Sequence, residues 1–236
     1  MRKDEIRRNK LTARVIYSPK PNEIKDIDGK PQTGETIKFG TEKLAKLGVG
    51  VNNGIFLKRI VESKKVSKVL ELGAGTGNSA FYLGYPECVD ELKTIEGSSD
   101  LAEIASETLS RLDTNCEVIN QHFDDALEDI DEKFGLIYID GQHEKKATLH
   151  YYEKASNKLK EDGIIVFDDI YWSRDMNECW HELIQMEDLV YTIDVGWFGL
   201  GVFNPQKNRS THFDLCSYLP RPIITTPWGW KRSGKK

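Results

Sequence analysis

Carboxylates directly follow two of the apolar segments that the sequence predicts to be β-strands. Asp140 ends the stretch IYID, and the pair Asp168-Asp169 ends the stretch IIVFDD. Ligand-binding groups of a parallel sheet gather at the carboxyl ends of its strands, so we expect these three acids to lie close together. Carboxylates without a counter-charge repel and raise each other's pKa, and a hard divalent cation with oxygen ligands relieves that repulsion. The spacing therefore indicates a site for Mg²⁺ made by Asp140, Asp168 and Asp169.

The same positions allow a second interpretation, because an Asp at a strand-to-helix turn often caps the helix that follows. Asp140 and Asp169 would then accept hydrogen bonds from backbone N–H groups and bind no ion. Residue spacing does not distinguish a metal ligand from a helix cap, so both interpretations stay open at this point.

Glycines cluster in a second stretch that could do chemistry, the segment VLELGAGTGNSAFYLG at residues 69–84. Gly73, Gly75 and Gly77 follow a predicted strand and precede a predicted helix. Glycine costs least where a backbone turns tightly or where a ligand approaches closely. Tight packing of a helix on a strand can also demand glycine, so the turn alone allows a cofactor site or a purely structural role.

Glu96 ends the next predicted strand, in the stretch TIEGSS. An acid at this place can accept hydrogen bonds from the ribose hydroxyls of a bound nucleoside. A dinucleotide site has the spacing GxGxxG, and a P-loop has a Lys after its glycines. The spacing here is GxGxG without that Lys. It favours a nucleoside with an amino-acid tail over a pyrophosphate and disfavours an NAD-dependent dehydrogenase.

Alternating strand and helix patterns position these residues. The predicted strands are 67–72, 92–96, 116–120, 135–139 and 163–167. The predicted helices are 76–84, 99–112, 124–130, 143–160 and 174–186. Such alternation is typical of a parallel sheet with helices on both faces. Two further β-rich stretches, LVYTIDV and FGLGVFN, have no helix between them and predict an antiparallel pair at the sheet edge.

The predicted fold is therefore α/β, a Rossmann-like doubly wound, mostly parallel seven-stranded sheet with an antiparallel edge strand. Polar residues rich in Pro and Gly predict an irregular N-terminal arm over residues 1–40. The domain itself is predicted over residues 41–204, and an extended tail over residues 205–236.

Composition narrows the function class. The 236 residues are 39% hydrophobic and 30% charged, and the formal net charge of −5 argues against a protein that coats nucleic acid. The four cysteines include no CxxC pair, which excludes the familiar zinc spacings and gives little reason to expect disulfides. The N-terminus shows no signal-peptide pattern, and no apolar run is long enough to span a bilayer. We expect a cytoplasmic protein without a nucleic-acid or membrane partner, and the sequence is compatible with a homodimer.

Three motifs resemble those of the class I S-adenosylmethionine-dependent methyltransferases. ELGAGTGNS is similar to their first motif, TIEGS to their second, and INQHFDDAL to the end of their third strand, within a resemblance that spans about residues 55–204. The resemblance implies S-adenosylmethionine as cofactor, with its methionine part held by Glu71 and the turn backbone. It implies that Glu96 binds the ribose and that residues 122–124 flank or hydrogen-bond the adenine. The cofactor residues implied in this way are Glu71, Gly73, Ala74, Gly75, Gly77, Asn78, Glu96, Gly97, Ser98, His122, Phe123, Asp124 and Asp140.

The acids resemble the metal triad of catechol-type and caffeoyl-coenzyme-A-type O-methyltransferases and of bacterial sugar O-methyltransferases. Asp169 stands where the plant and animal enzymes have Asn and the sugar enzymes have Asp. His143, three residues after Asp140, stands where the catechol-type enzymes place a catalytic Lys. The sugar enzymes place their base two residues after the Asp, where this chain has Gln142. Imidazole titrates near neutral pH, so we predict His143 as the catalytic base, with a helix cap as the alternative. From the resemblance to the metal triad we predict Asp140 as the second catalytic residue.

The sequence thus predicts a methyltransferase that acts on a hydroxyl of a small molecule with help from Mg²⁺. One alternative is a metal-independent enzyme acting on nitrogen or on a protein or RNA group. The stretch DGQH lacks the Asn/Asp-Pro-Pro-aromatic signature of many amine methyltransferases, which disfavours amine substrates. Another alternative is a non-catalytic subunit of the same fold, which the intact glycine turn disfavours. Tyr171, Trp172 and Trp180 could line an aromatic substrate pocket or belong to the core.

Overall fold

The structure is a computed structural model, and it describes residues 22–23, 38–39, 48–207 and 210–216. The chain divides into two compact units, Met1–Ile130 and Asp131–Lys236. Most of the predicted N-terminal arm and the end of the predicted tail lie outside the described residues, so the predicted domain boundaries stay predictions. Within the described part of the chain, no helix combines the length and the apolar character that crossing a bilayer requires.

The first unit contains a three-stranded parallel sheet. In chain order its elements are β1 (Asn22–Glu23), β2 (Lys38–Phe39), α1 (Val51–Lys64), β3 (Lys68–Leu72), α2 (Asn78–Gly84), β4 (Glu91–Ile95), α3 (Ser99–Leu109), β5 (Asn115–Ile119) and α4 (Phe123–Asp129). β1 and β2 pair in antiparallel fashion, and β4 lies between β3 and β5 with both pairings parallel. Helices α1 and α2 approach closely at Gly54, where a Cβ atom would lie 2.3 Å from the Tyr82 ring. Gly54 therefore permits this helix contact.

The second unit contains a five-stranded mixed sheet. Its elements are β6 (Phe134–Ile139), α5 (Lys145–Ser156), β7 (Leu159–Phe167), α6 (Arg174–Leu183), β8 (Leu189–Asp194), β9 (Gly199–Phe203) and β10 (Thr211–Asp214). The strands follow the order β6-β7-β9-β8-β10, in which β6 and β7 are parallel and β9 is antiparallel to both of its neighbours. The parallel pair β6 and β7 brings the strand ends before Asp140 and Asp168 side by side.

The predicted Rossmann-like α/β class is confirmed. Parallel pairings predominate, helices alternate with the parallel strands, and the predicted antiparallel pair is present as β8 and β9. The sheet strands β3 to β10 number eight rather than the predicted seven, because β10 forms inside the predicted tail and pairs in parallel with β8. Backbone pairing with β8, rather than any apolar alternation of its own, makes this short segment a strand.

Helix α5 is shorter than predicted. The sequence predicts a helix over 143–160, but the helix spans Lys145–Ser156 and β7 already begins at Leu159. Leu159 pairs with Phe134, and the Phe134 N–H donates to the Lys158 carbonyl at 2.8 Å. Hydrogen bonding to β6 therefore places in a strand the residues that hydrophobic periodicity alone assigns to the end of the helix.

Trp180 belongs to the core of the second unit. Its side chain is 1% exposed, and its ring centroid lies 6.2 Å from that of Phe167. A Cβ atom on Gly199 would lie 2.5 Å from the Trp180 ring, so the absence of a side chain in β9 makes room for the indole. The interpretation of Trp180 as a residue of a substrate pocket is wrong, because α6 turns this position toward the sheet.

We expect Gly199→Ala to destabilise the protein by roughly 1–3 kcal/mol, because the added methyl group overpacks against the Trp180 ring. In a Trp180→Leu background the smaller side chain leaves space, so the same substitution should cost less. Urea unfolding of the four proteins, followed by far-UV circular dichroism, provides this double-mutant cycle. Equal costs in both backgrounds would show that the strand accommodates the methyl group by moving.

Candidate functional site

The glycine-rich turn joins β3 to α2 through three left-handed backbone conformations. The φ angle is 101° at Gly73, 51° at Gly75 and 79° at Gly77. Side chains with a Cβ atom disfavour this region, whereas glycine enters it readily. The N–H groups of Gly73 and Ala74 donate to the Ile95 carbonyl at 2.9 and 3.1 Å, which ties the turn to the end of β4. Backbone geometry therefore accounts for all three glycines.

Gly75 and Gly77 differ in what an added side chain would meet. A Cβ atom on Gly77 would lie 3.0 Å from the Ala105 Cα in α3, so this glycine serves helix packing. A Cβ atom on Gly75 would have no other described atom within 4 Å. Open space beside the turn at the carboxyl end of a strand fits a ligand that approaches the backbone closely.

Glu96 is buried at the end of β4 and clamps the turn. Its Oε2 accepts a hydrogen bond from the Gly75 N–H at 2.8 Å, and its Oε1 accepts one from the Ser98 N–H at 2.9 Å. Burial raises the pKa of the Glu96 carboxyl, and these backbone donors oppose that shift. Each carboxylate oxygen can accept a second hydrogen bond, so Glu96 can hold the turn and still bind a ligand hydroxyl.

Two other predicted cofactor residues have local structural partners. The Asn78 side-chain amide donates to the Val49 carbonyl at 3.0 Å. Ser98 is buried, and its hydroxyl accepts from the Leu101 N–H at 3.4 Å as the N-cap of α3. Both side chains therefore shape the elements around the turn, and any contact with a cofactor would be additional.

The remaining predicted cofactor residues follow the ends of β3 and β5. Glu71 is fully buried in β3, where its carboxylate accepts a hydrogen bond from the Thr94 hydroxyl at 2.5 Å. His122 is exposed just before α4, while Phe123 and Asp124 are half-buried in its first turn. The predicted cofactor residues of the first unit thus cluster at the carboxyl ends of its three parallel strands.

Five residues of the second unit form a closed set of contacts, which we call the acidic ring: Tyr138, Asp140, His143, Asp168 and Asp169. The Tyr138 hydroxyl donates to Asp168 Oδ2 at 2.7 Å and lies 3.3 Å from Asp140 Oδ2. The Asp169 N–H donates to Asp168 Oδ1 at 2.9 Å. His143 Nε2 lies 3.7 Å from both Asp140 Oδ1 and Asp169 Oδ2. The structure therefore brings the three predicted metal ligands and the predicted base into one cluster.

Negative charge is concentrated within the acidic ring. Burial raises the pKa of the Asp168 carboxyl well above its usual range, and the charges of Asp140 and Asp169 raise it further. Burial also raises the pKa of Asp169, while the nearby His143 opposes that shift. Carboxyls with raised pKa values that share a cluster are typical of functional sites and of cation sites.

Helix capping does not account for the acids or for the imidazole. The N-cap residue of α5 is Glu144, and that of α6 is Ser173. Asp140, Asp169 and His143 therefore lie in the preceding turns, and the capping interpretation is wrong for all three. Asp169 additionally has a left-handed backbone with a φ of 51°, an uncommon conformation for a residue other than glycine.

The turn that contains His143 is held by α6. The Lys145 N–H, two residues later, donates to the Asp175 carboxylate at 2.5 Å. The Lys145 ammonium group forms an ion pair with Glu182 at 2.8 Å. Contacts between α5 and α6 therefore hold the backbone beside His143 in place and limit where its imidazole can lie relative to the carboxylates.

Two aromatic residues belong to this site in different ways. Tyr138 was not among the predicted site residues, although the alternation of a strand puts it on the same face of β6 as Asp140. The Trp172 ring centroid lies 6.0 Å from that of His143, and the backbone N–H of Trp172 donates to the Asp169 carbonyl at 2.8 Å. Trp172 thus lies beside the predicted base.

A second acidic cluster has a structural role. Within the described residues, Asp194, Asp214 and Cys216 form the set of metal-ligating groups whose ligand atoms lie within 4.8 Å of one another. Buried Asp194 accepts hydrogen bonds from the Tyr171 hydroxyl and from the Gly196 N–H. The Cys216 thiol, just after β10, donates to Asp194 Oδ1 at the end of β8, so the cluster ties the two strands together. The three predicted metal ligands do not meet this spacing.

Residues 70–170 match a family model described as a methyltransferase domain. This segment therefore resembles a methyltransferase domain. The fold of the chain is similar to that of a Bacillus cereus O-methyltransferase solved in complex with SAH, which is 23% identical, with a TM-score of 0.59 over 69% of this chain and 86% of that one. None of the curated proteins compared matches the sequence.

Two further solved structures share the fold of this chain. TomG, an O-methyltransferase from Streptomyces achromogenes in complex with SAM, is 19% identical, with a TM-score of 0.59 over 67% of this chain and 82% of that one. The SAH-bound Podospora anserina methyltransferase PaMTH1 is 17% identical, with a TM-score of 0.58 over 68% and 81%. The predicted resemblance to the class I methyltransferases is confirmed, and so is the prediction of a methyltransferase enzyme.

Replacement of single glycines in the turn should distinguish the glycine that packs against α3 from the glycine that borders open space. We expect Gly77→Ala to lower the free energy of unfolding by roughly 2–4 kcal/mol, because it adds backbone strain to a clash with α3. Gly75→Ala adds the strain alone and should cost about 1–2 kcal/mol. Urea unfolding at equilibrium measures both values. A larger loss for Gly75→Ala than for Gly77→Ala would contradict this assignment of the two glycines.

Proposed function

We propose that the protein transfers a methyl group from S-adenosylmethionine to a hydroxyl of a small molecule, assisted by a divalent cation such as Mg²⁺. The observation that carries the proposal is the acidic ring, in which His143 faces two carboxylates beyond the ends of two parallel strands. Methylation of a hydroxyl needs a base for its proton and a charge that stabilises the developing alkoxide. The acidic ring offers His143 for the first need and a cation site for the second.

The first unit provides the features that a nucleoside with an amino-acid tail needs. Gly75 borders open space at the turn, and buried Glu96 retains acceptor capacity beside it. We propose that Glu96 binds the ribose hydroxyls and that the turn backbone with Glu71 binds the methionine part. The SAM and SAH complexes of the structural neighbours support this cofactor, and His122, Phe123 and Asp124 are proposed to border the adenine.

The donor set of the acidic ring fits a hard cation. Asp140, Asp168 and Asp169 offer carboxylate oxygens, the ligand type that Mg²⁺ prefers. Burial raises the pKa of Asp168, and the charges of Asp140 and Asp169 raise it further. A bound cation would relieve the repulsion among the carboxylates. A divalent cation in this site would lower the pKa of an acceptor hydroxyl and make its oxygen a better nucleophile near neutral pH.

His143 is proposed to take the acceptor's proton. Its side chain is 30% exposed, so an acceptor can reach the imidazole, and Asp140 and Asp169 stabilise the imidazolium that forms. Bound S-adenosylmethionine would supply the methyl group, with a bond forming from the acceptor oxygen to the methyl carbon as the carbon–sulfur bond breaks, and would leave as S-adenosylhomocysteine. Because the reaction is a displacement in line, placement of the acceptor beside His143 and Trp172 contributes much of the rate.

A second candidate is a metal-independent methyltransferase. The ligand atoms of the predicted triad are not gathered within 4.8 Å, whereas His143 already faces two carboxylates. In this alternative His143 removes the proton without a cation, and Asp140 and Asp169 only orient and stabilise it.

The predicted location is the cytoplasm. All four cysteines, which lie within the described residues, are free thiols, and this supports a reducing compartment. A homodimer stays a prediction.

The cofactor assignment is testable by isothermal titration calorimetry. We expect the protein to bind S-adenosylhomocysteine and not NAD. Gly75→Val should abolish binding, because a branched side chain enters the open space beside the turn. Glu96→Ala should weaken binding by roughly 1–3 kcal/mol, the value of hydrogen bonds to a charged group. Glu91→Ala, at the other end of β4, is the matched control, and unchanged affinity in both Gly75→Val and Glu96→Ala would refute the assignment.

The role of His143 is testable with labelled S-adenosylmethionine and a panel of catechols, phenols and sugars. We expect His143→Ala to lower the methyl-transfer rate roughly 10²–10⁴-fold, because a positioned base is lost, without changing the affinity for S-adenosylhomocysteine. His181→Ala, which removes an exposed imidazole from α6, is the control and should retain the wild-type rate. A near wild-type rate for His143→Ala would exclude it as the base.

The same assay decides whether a cation takes part. Chelation with EDTA should remove activity, and Mg²⁺ should restore it. Activity that persists in EDTA and still depends on His143 would favour the metal-independent candidate.

A further inference from the structure

Tyr138 is a buried phenol at the centre of the acidic ring. Its side chain is fully buried, and its ring packs edge-on against Phe198 with 6.1 Å between centroids. A phenylalanine would fill the same volume and make the same ring contact. The hydroxyl is therefore the part of Tyr138 that core packing does not require.

The hydroxyl contacts two carboxylates that repel each other. It lies 2.7 Å from Asp168 Oδ2 and 3.3 Å from Asp140 Oδ2. A phenol has one hydrogen to donate, and the shorter distance assigns that hydrogen mainly to Asp168. Asp168 Oδ1 is held separately by the Asp169 N–H at 2.9 Å, so both oxygens of Asp168 are fixed in orientation.

We propose that Tyr138 is a positioning residue for cation binding by the acidic ring, an inference that rests on the proposed function. Through Asp168 it holds one carboxylate of the triad in a single orientation, and through its oxygen it spaces Asp168 from Asp140. A partner that orients a ligating carboxylate stabilises the bound ion because less freedom is lost on binding. Tyr138 itself needs no contact with the substrate.

Mn²⁺ binding to the whole protein, without substrate or cofactor, tests the proposal. Titration followed by the Mn²⁺ electron paramagnetic resonance signal measures the dissociation constant and the symmetry of the bound ion. Removal of an outer-shell partner typically weakens metal binding 10–100-fold, so we expect Tyr138→Phe to raise the Mn²⁺ dissociation constant roughly 10-fold or more. The line shape of the remaining bound ion should also change, which a loss of stability alone would not cause.

Tyr152→Phe is the matched control. The Tyr152 hydroxyl donates to Asp188 at 2.5 Å, so this variant also loses a bond from a largely buried phenol to a carboxylate, but outside the acidic ring. We expect it to bind Mn²⁺ as the wild type does, and urea unfolding compares the stability of the two variants.

The outcomes distinguish the role of Tyr138 from the existence of the cation site. Wild-type affinity and line shape in Tyr138→Phe would overturn the positioning role while leaving the cation site intact. Equal weakening in Tyr138→Phe and Tyr152→Phe would also overturn it, because the effect would then follow from lost stability. If the wild type binds no Mn²⁺, the cation site of the proposed function fails, and the role of Tyr138 fails with it.

Discussion

Repulsion among three carboxylates is the constraint around which the second unit is arranged. Because β6 and β7 are parallel neighbours, Asp140 and the Asp168-Asp169 pair follow strand ends that meet at one edge. Burial and mutual repulsion raise the pKa of Asp168, so holding these groups together costs folding free energy. Hydrogen bonds to Asp168 from the Tyr138 hydroxyl and the Asp169 N–H, together with the partly exposed imidazole of His143, offset part of this cost.

The geometry of the imidazole depends on the packing of two helices. The His143 turn precedes α5, and Lys145 at the start of that helix is bound twice by α6, through Asp175 and Glu182. A side chain on a turn is usually less well placed than one on a helix or strand. Here the turn is anchored within two residues of His143, which limits the positions that the imidazole can adopt.

The glycine-rich turn of the first unit combines two different requirements in one motif. Gly77 allows α3 to approach, and Gly75 leaves space at the carboxyl ends of the strands. Glu96 reinforces the same turn, since its carboxylate accepts a hydrogen bond from the Gly75 N–H. A substitution at Glu96 therefore also changes the turn, and its effect on stability must be measured beside any effect on binding.

The sequence by itself determined the order and type of the elements, the glycine turn and the acids at the strand ends. These features are encoded locally, because hydrophobic periodicity and strand-end residues depend on neighbours along the chain. The predicted helices and strands of residues 67–139 agree with the structure to within about two residues at most ends, and Asp140 lies where the end of β6 was expected.

Only the tertiary structure decided which side chains meet. Trp180 lies in the core because β9 offers Gly199 opposite it, and β7 begins early because Leu159 finds a partner in β6. Tyr138 joins the site because β7 places Asp168 within 2.7 Å of its hydroxyl. Each of these three placements depends on a residue that is distant in sequence. The sequence around a residue carries no signal for such a partner, because contacts across a sheet join separate segments of the chain.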